Sequence, residues 1–74
     1  MKRIYCFDKN DKIKVKKLDT TPEKQLIYES FGISEGTILE IFFKYRNDII
    51  VKIGEYKLAL SAEATKEIFA ERIF

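Results

Sequence analysis

Few residues of this 74-residue chain stand at spacings that do chemistry. Cys6-x-Asp8 offers a metal one thiol and one carboxylate, and Glu63 and Glu67 offer two carboxylates at helical i, i+4 spacing. A transition metal wants several His, Asp, Glu or Cys ligands converging on one point, and the chain has no histidine and one cysteine. Inside the apolar run Ile4–Phe7, that cysteine reads as a small buried hydrophobe. A lone carboxylate pair would leave most of a dication's coordination shell to water. The expectation is no metal ligand and no cofactor. Catalysis has as little support, because there is no phosphate-binding glycine loop, no histidine for proton transfer, and no Ser or Cys nucleophile with a partner. No catalytic residue is expected, and the chain reads as a non-enzyme.

The residues that could bind are of two kinds. Lys12, Lys14, Lys16 and Lys17 concentrate positive charge on one short stretch. Residues 1–24 carry eight Lys/Arg against four Asp/Glu, and residues 25–74 carry six against eight, so the basic character is local. Lysines on a small barrel can track phosphates, usually with aromatics on the same face. No aromatic alternates with Lys12–Lys16, and a solvated strand face that discourages edge pairing is the simpler reading. The second kind comprises Tyr45, Arg46, Tyr56 and Lys57, placed at strand ends and turns. Tyr and Arg are favoured anchors of protein interfaces, so these four are the candidate partner-binding residues. The plainer alternative is that each tyrosine caps a barrel with its ring buried and its hydroxyl wet.

The elements that must position these groups follow from periodicity. Ile4–Phe7 is a short apolar run suited to an edge strand, and Asp8–Asp11 is a turn with Asn10 tolerant of a left-handed backbone. Lys12–Lys16 alternates with period two, and Leu18 needs a bulge or bend to rejoin the face of Ile13 and Val15. Thr20-Thr21-Pro22-Glu23 starts a helix, with either threonine as N-cap. That helix spans about 22–31, with Leu26, Ile27, Ser30 and Phe31 on one face, and Gly32 ends it so that Ile33 folds back. Three strand-like runs follow, Thr37–Tyr45, Ile49–Ile53 and Tyr56–Leu60, broken at Arg46–Asp48 and Gly54-Glu55. Leu39, Ile41 and Phe43 form the expected core face of the first run, leaving Phe42 in need of cover. Gly36 precedes that run in a turn and is expected at positive φ, and Gly54 serves the last hairpin. A short helix capped by Ser61 covers about 62–69, and Arg72–Phe74 could close a barrel against Ile4–Phe7. Ten aromatic residues are enough to fill such a barrel. A domain of this length is held by roughly 3–5 kcal/mol.

The order of helix, Phe31-Gly32-Ile33, Gly36-Thr37, strand pair, Gly54-Glu55-Tyr56-Lys57-Leu58-Ala59-Leu60 and a short helix with Glu63-Ala64 and Ile68 resembles the FeoA family. These are small accessory proteins of bacterial ferrous-iron uptake, related in fold to the C-terminal domain of diphtheria-toxin-repressor-type metalloregulators. The resemblance spans residues 7–70 and implies a mainly β fold, an SH3-like small barrel with an inserted helix, in one domain over residues 1–74. It implies a cytoplasmic interaction module that binds and modulates the FeoB membrane transporter, and it brings no catalytic residues. The sequence departs from the family in its loops. Asn10 stands for a glycine, Gly54-Glu55 reverses the usual basic-then-Gly order, Asn47-Asp48 replaces Gly-Asp-Pro, and Thr65 occupies the usual alanine slot. Two alternatives remain: a nucleic-acid-binding barrel using Lys12–Lys17, and a stand-alone regulatory domain like those of metal-dependent repressors. No uncharged apolar run reaches the length of a membrane span.

Overall fold

The structure is a computed structural model and describes residues 1–73. Six strands form one antiparallel sheet: β1 (Lys2–Arg3), β2 (Lys12–Leu18), β3 (Ile38–Tyr45), β4 (Asp48–Ile53), β5 (Tyr56–Leu60) and β6 (Ile68–Arg72). Their spatial order is β1-β6-β2-β3-β4-β5. Two helices, α1 (Pro22–Ser30) and α2 (Ala62–Glu67), interrupt the strands. The mainly β architecture with an inserted helix is the expected one.

β2 shows how the lysine alternation works. Ile13 and Val15 are fully buried while Lys12, Lys14, Lys16 and Lys17 face outward. Between Val15↔Ala70 and Lys17↔Phe69 the register slips by one residue. This is the bulge that Leu18 requires, and it returns Leu18 to the core at 8% exposure. β2 is an interior strand, between β6 and β3, so its lysines guard no edge.

A second bulge was not foreseen. Ile41 pairs with Val51 and Phe43 with Ile50, leaving Phe42 extra. Past it the faces exchange. Phe43, expected in the core, is 48% exposed, and Lys44 falls opposite buried Ile49 on the inner side. The Lys44 ammonium does not sit there unsatisfied. It donates to the carbonyl oxygens of Tyr5 (2.6 Å) and Phe7 (2.9 Å), as a half-buried cation requires.

Those carbonyls belong to a segment that is no strand. Ile4–Cys6 forms a single 3-10 turn, which buries Ile4 and Phe7 but leaves Cys6 exposed, contrary to the expectation of a buried thiol. A strand would have alternated these side chains between faces. Barrel closure near the termini is made instead by β1 on β6, Lys2↔Ala70 and Arg3↔Phe69. The expected pairing of Arg72–Phe74 with Ile4–Phe7 is replaced by this one, with Phe74 outside the described residues. The C-terminal helix stops at Glu67, and Ile68 and Phe69, expected within it, begin β6. Ser61 caps it as expected, accepting from Ala64 N at 3.3 Å.

α1 takes Thr21 as N-cap, accepting from Lys24 N at 3.2 Å, with Pro22 in the first helical position. Gly32 N donates to Glu29 O and Ile33 N to Tyr28 O, a Schellman ending with Gly32 at φ +93° and Ile33 fully buried. The expected core face of this helix is wrong. Leu26, Ile27 and Phe31 are 67%, 52% and 47% exposed, Ser30 is also exposed, and Tyr28 is the one buried side chain.

Candidate functional site

The four candidate partner-binding residues do not form one cluster. Tyr45 pairs with Asp48 at the start of β4, and Tyr56 pairs with Ile53 at its end. Five steps of extended strand separate them by about 16–17 Å. Tyr45 and Arg46 sit at the tip of the β3–β4 hairpin, Tyr45 61% exposed, with the Arg46 guanidinium 5.5 Å from the Tyr45 ring centre. Arg46 has φ +57°, a left-handed conformation uncommon for a non-glycine residue. The tip is held from below, where Asp48 Oδ1 accepts from Ala62 N (3.0 Å) and the Thr65 hydroxyl lies between two carbonyl acceptors that share its one proton, Asn47 O (3.0 Å) and Ala62 O (2.8 Å).

Tyr56 and Lys57 lie at the other end, and both are engaged. The Tyr56 hydroxyl donates to the Phe31 carbonyl, fastening the end of α1. The Lys57 ammonium stands 4.1 Å from the centre of the Phe42 ring, which gives that aromatic its cover. The turn between β4 and β5 has Gly54 at φ +57° as its first central residue, as a type II′ hairpin demands, so the Gly54-Glu55 order causes no slip.

A groove runs between α1 and β5, lined by Tyr28 and Phe31 on one side and Leu58, Leu60 and Ala64 on the other. Its floor was invisible in the sequence because periodicity put Leu26 and Ile27, not Tyr28, toward the sheet. The one available signal was Tyr28 at three-residue spacing from Phe31. A polar clamp closes one end. Glu67 accepts hydrogen bonds from Tyr28 OH (2.5 Å), Lys24 Nζ (3.0 Å) and Thr20 Oγ1 (3.1 Å), and Lys24 also reaches Glu63 at 2.9 Å. Burial pushes the Glu67 carboxyl upward, but these three donors outweigh it and hold its pKa below the usual value. Tyr28 is pushed up to about 12, by burial first and then by its bond to Glu67. Lys24 is raised, chiefly by its hydrogen bonds to Glu63 and Glu67.

This clamp also decides the carboxylate pair. Glu63 and Glu67 are bridged by the Lys24 ammonium, which stands where a dication would have to bind. Among the described residues no three His, Cys, Asp or Glu side chains are placed to hold a metal ion. On the basic strand, Lys12 lies opposite Glu40 and Lys14 opposite Glu71, and Lys16 is 4.0 Å from the Glu71 carboxylate. Carboxylates therefore interrupt the row that a phosphate backbone would follow.

No protein-family model matches the sequence, and neither does any curated protein. Solved structures do match. A crystal structure of an iron uptake regulatory protein, FeoA, superposes with TM-score 0.88 over 96% of both chains at 14% identity. The fold is that of FeoA proteins. An NMR structure of a FeoA-like protein from Clostridium acetobutylicum gives 0.86 over 99% of this chain and 87% of its own, at 21% identity. A manganese-dependent transcriptional repressor matches with TM-score 0.85 and 20% identity, over 97% of this chain and 41% of the repressor. The SH3-like small barrel of FeoA is thus this chain's fold, and it carries the loop departures at Asn10, Asn47-Asp48 and Gly54-Glu55 without a change of topology. Asn10 takes φ +77°, a left-handed conformation that asparagine tolerates.

Proposed function

We propose that this chain is a FeoA-like accessory protein of ferrous-iron uptake, a non-enzymatic module that binds the cytosolic part of a FeoB-type transporter and modulates it. One observation carries the reading: the FeoA fold is matched with TM-score 0.88 over 96% of both chains. The placement of its candidate anchors supports it too, since Tyr45 and Arg46 are held out on a braced hairpin tip. On this reading the protein works in the cytoplasm and meets the membrane through its partner. Among the described residues no helix is long and apolar enough to cross a bilayer.

The likeness to a manganese-dependent repressor favours a second reading, a stand-alone regulatory domain. A titration of the purified protein against the transporter's cytosolic domain, beside unrelated oligonucleotides at two salt concentrations, separates the possibilities. Saturable, oligonucleotide-insensitive binding to the transporter is expected. No transporter binding, with oligonucleotide affinity falling steeply as salt rises, would sink the proposal.

A further inference from the structure

Among the described residues the sheet has two free edges of unequal character. β1 is two residues long and both are cationic, a blunted edge. β5 is five residues long, Tyr56-Lys57-Leu58-Ala59-Leu60, with one charge and no proline. Its register fixes which main-chain groups are unpaired. The two-residue turn makes Ile53 and Tyr56 the closing hydrogen-bonded pair. Antiparallel alternation then turns Tyr56, Leu58 and Leu60 toward β4, and the amides and carbonyls of Lys57 and Ala59 toward the open edge. Both residues are exposed, and among the described residues neither backbone finds a partner beyond that edge.

Two further features flank this edge. On the inner side is the groove of Tyr28, Phe31, Leu58, Leu60 and Ala64. On the outer side Lys57 lies directly opposite Lys52 in the close, non-hydrogen-bonded kind of pair. Like charges so placed are destabilising. Lys52 has Glu40 across from it on β3, but on the open side of Lys57 the position that a carboxylate would fill belongs to no strand among the described residues.

We propose that the β5 edge takes up an extended peptide of a partner protein as an added strand. The peptide carries an acidic residue opposite Lys57 and an apolar residue beside it that enters the groove against Leu58. Donors and acceptors on Lys57 and Ala59, two residues apart, are matched by extended backbone. Charge complementarity selects the occupant. Self-pairing of two copies through these residues would set Lys57 against the alanine of the other copy and leave the Lys52–Lys57 repulsion in place. The inference rests on the reading of the chain as an interaction module and names the surface that such a module would use.

The test uses an acetylated, amidated peptide, Thr-Val-Thr-Val-Glu-Val-Thr-Val-Thr, with amide exchange followed residue by residue by NMR. At saturation the Lys57 and Ala59 amides should exchange at least tenfold more slowly. A peptide with lysine in place of its glutamate should bind about tenfold more weakly, a difference of about 1.4 kcal/mol. Methylating the peptide nitrogens at the glutamate and its nearest threonines should abolish binding. Ala59→Pro should do the same, since its N–H points away from the ladder and proline is tolerated there. Should that variant fail to fold, the methylated peptide makes the same test on unaltered protein. Unchanged exchange at Lys57 and Ala59, equal binding of the methylated peptide, or protection that grows with protein concentration and needs no peptide would each overturn the inference. Transporter binding is read separately, by calorimetry. If it survives Ala59→Pro while the peptide has no effect, this surface is wrong and the proposed function stands. If the peptide protects Ala59 but the transporter does not bind, the reverse holds.

Discussion

Glu67 gathers three hydrogen-bond donors from the α1 region, and its ionisation should be felt in folding. Its pKa is held below the ordinary 4.5, so the stability it adds is complete above that value and is lost as pH falls through the lower, folded-state value. Tyr28 runs the other way. Raised from 10.0 to about 12, it adds stability that is complete below pH 10 and lost between there and pH 12. Urea denaturation should therefore show Glu67→Gln flattening the acid limb and Tyr28→Phe flattening the loss between pH 10 and 12. An alkaline limb equally steep in Tyr28→Phe and wild type would contradict the assignment. Gly36 gives a cleaner case. It has φ +94° and open space where a Cβ would stand, so substitution there is opposed by backbone conformation alone. Gly36→Val should cost more than about 1 kcal/mol, and Gly36→Asn much less. The turn Ser34–Thr37, closed by Thr37 N to Ser34 O at 3.1 Å, was legible because it needs one glycine near its end. The exposure of Cys6 was not, since an apolar tetrad does not reveal that it will coil into a 3-10 turn.

At the scale of elements, the two bulges show what periodicity can and cannot carry. The first was legible because Leu18 broke the parity of Ile13 and Val15, and a polar residue could absorb the slip. The second was hidden because Phe42 and Phe43 are both apolar, and either could have been the inward one. The structure predicts that Ile41→Ala, at a fully buried site, costs about 2–5 kcal/mol, typical of such truncations. Phe43→Thr should change stability by less than about 1 kcal/mol, its ring being half exposed on a strand that tolerates threonine. Equal losses in chemical denaturation would mean that the register past Phe42 is wrong. α1 misled for a related reason. Its stripe of Leu26, Ile27 and Phe31 is a good helical face, yet the helix is held through Tyr28, its caps and the Glu67 clamp. Replacing Ile27 with Glu should accordingly move the melting midpoint little.

For the whole molecule, the balance of ligands and charges argues against a resident metal. With Lys24 bridging Glu63 and Glu67, micromolar ferrous iron should neither raise the melting temperature nor give a stoichiometric anaerobic calorimetric isotherm. A dissociation constant near 1 μM, about 8 kcal/mol of binding, would turn the reading toward a carrier or sensor. The fold class was legible here because turns, caps and strand runs all agreed. The split of 62–69 into a helix and the start of β6 was not, because Ile68 suits either element. That split governs how the chain is made. β6 lies between β1 and β2, its Ile68–Arg72 pairing with residues near the other end of the sequence. Arg3 reaches across to the carbonyl of Lys66 at 3.0 Å, and the 3-10 turn at Ile4–Cys6 waits for the ammonium of Lys44. A chain growing from its N-terminus therefore cannot complete its barrel before Arg72 has been made. β2 can meet β3 once Tyr45 has emerged, but its other side, which belongs to β6, stays open until residue 72 has left the ribosome. Loop closure over such separations is slow. The lysines of β2 then acquire a use that the folded state does not show, keeping a waiting strand from pairing with a neighbour on the same message.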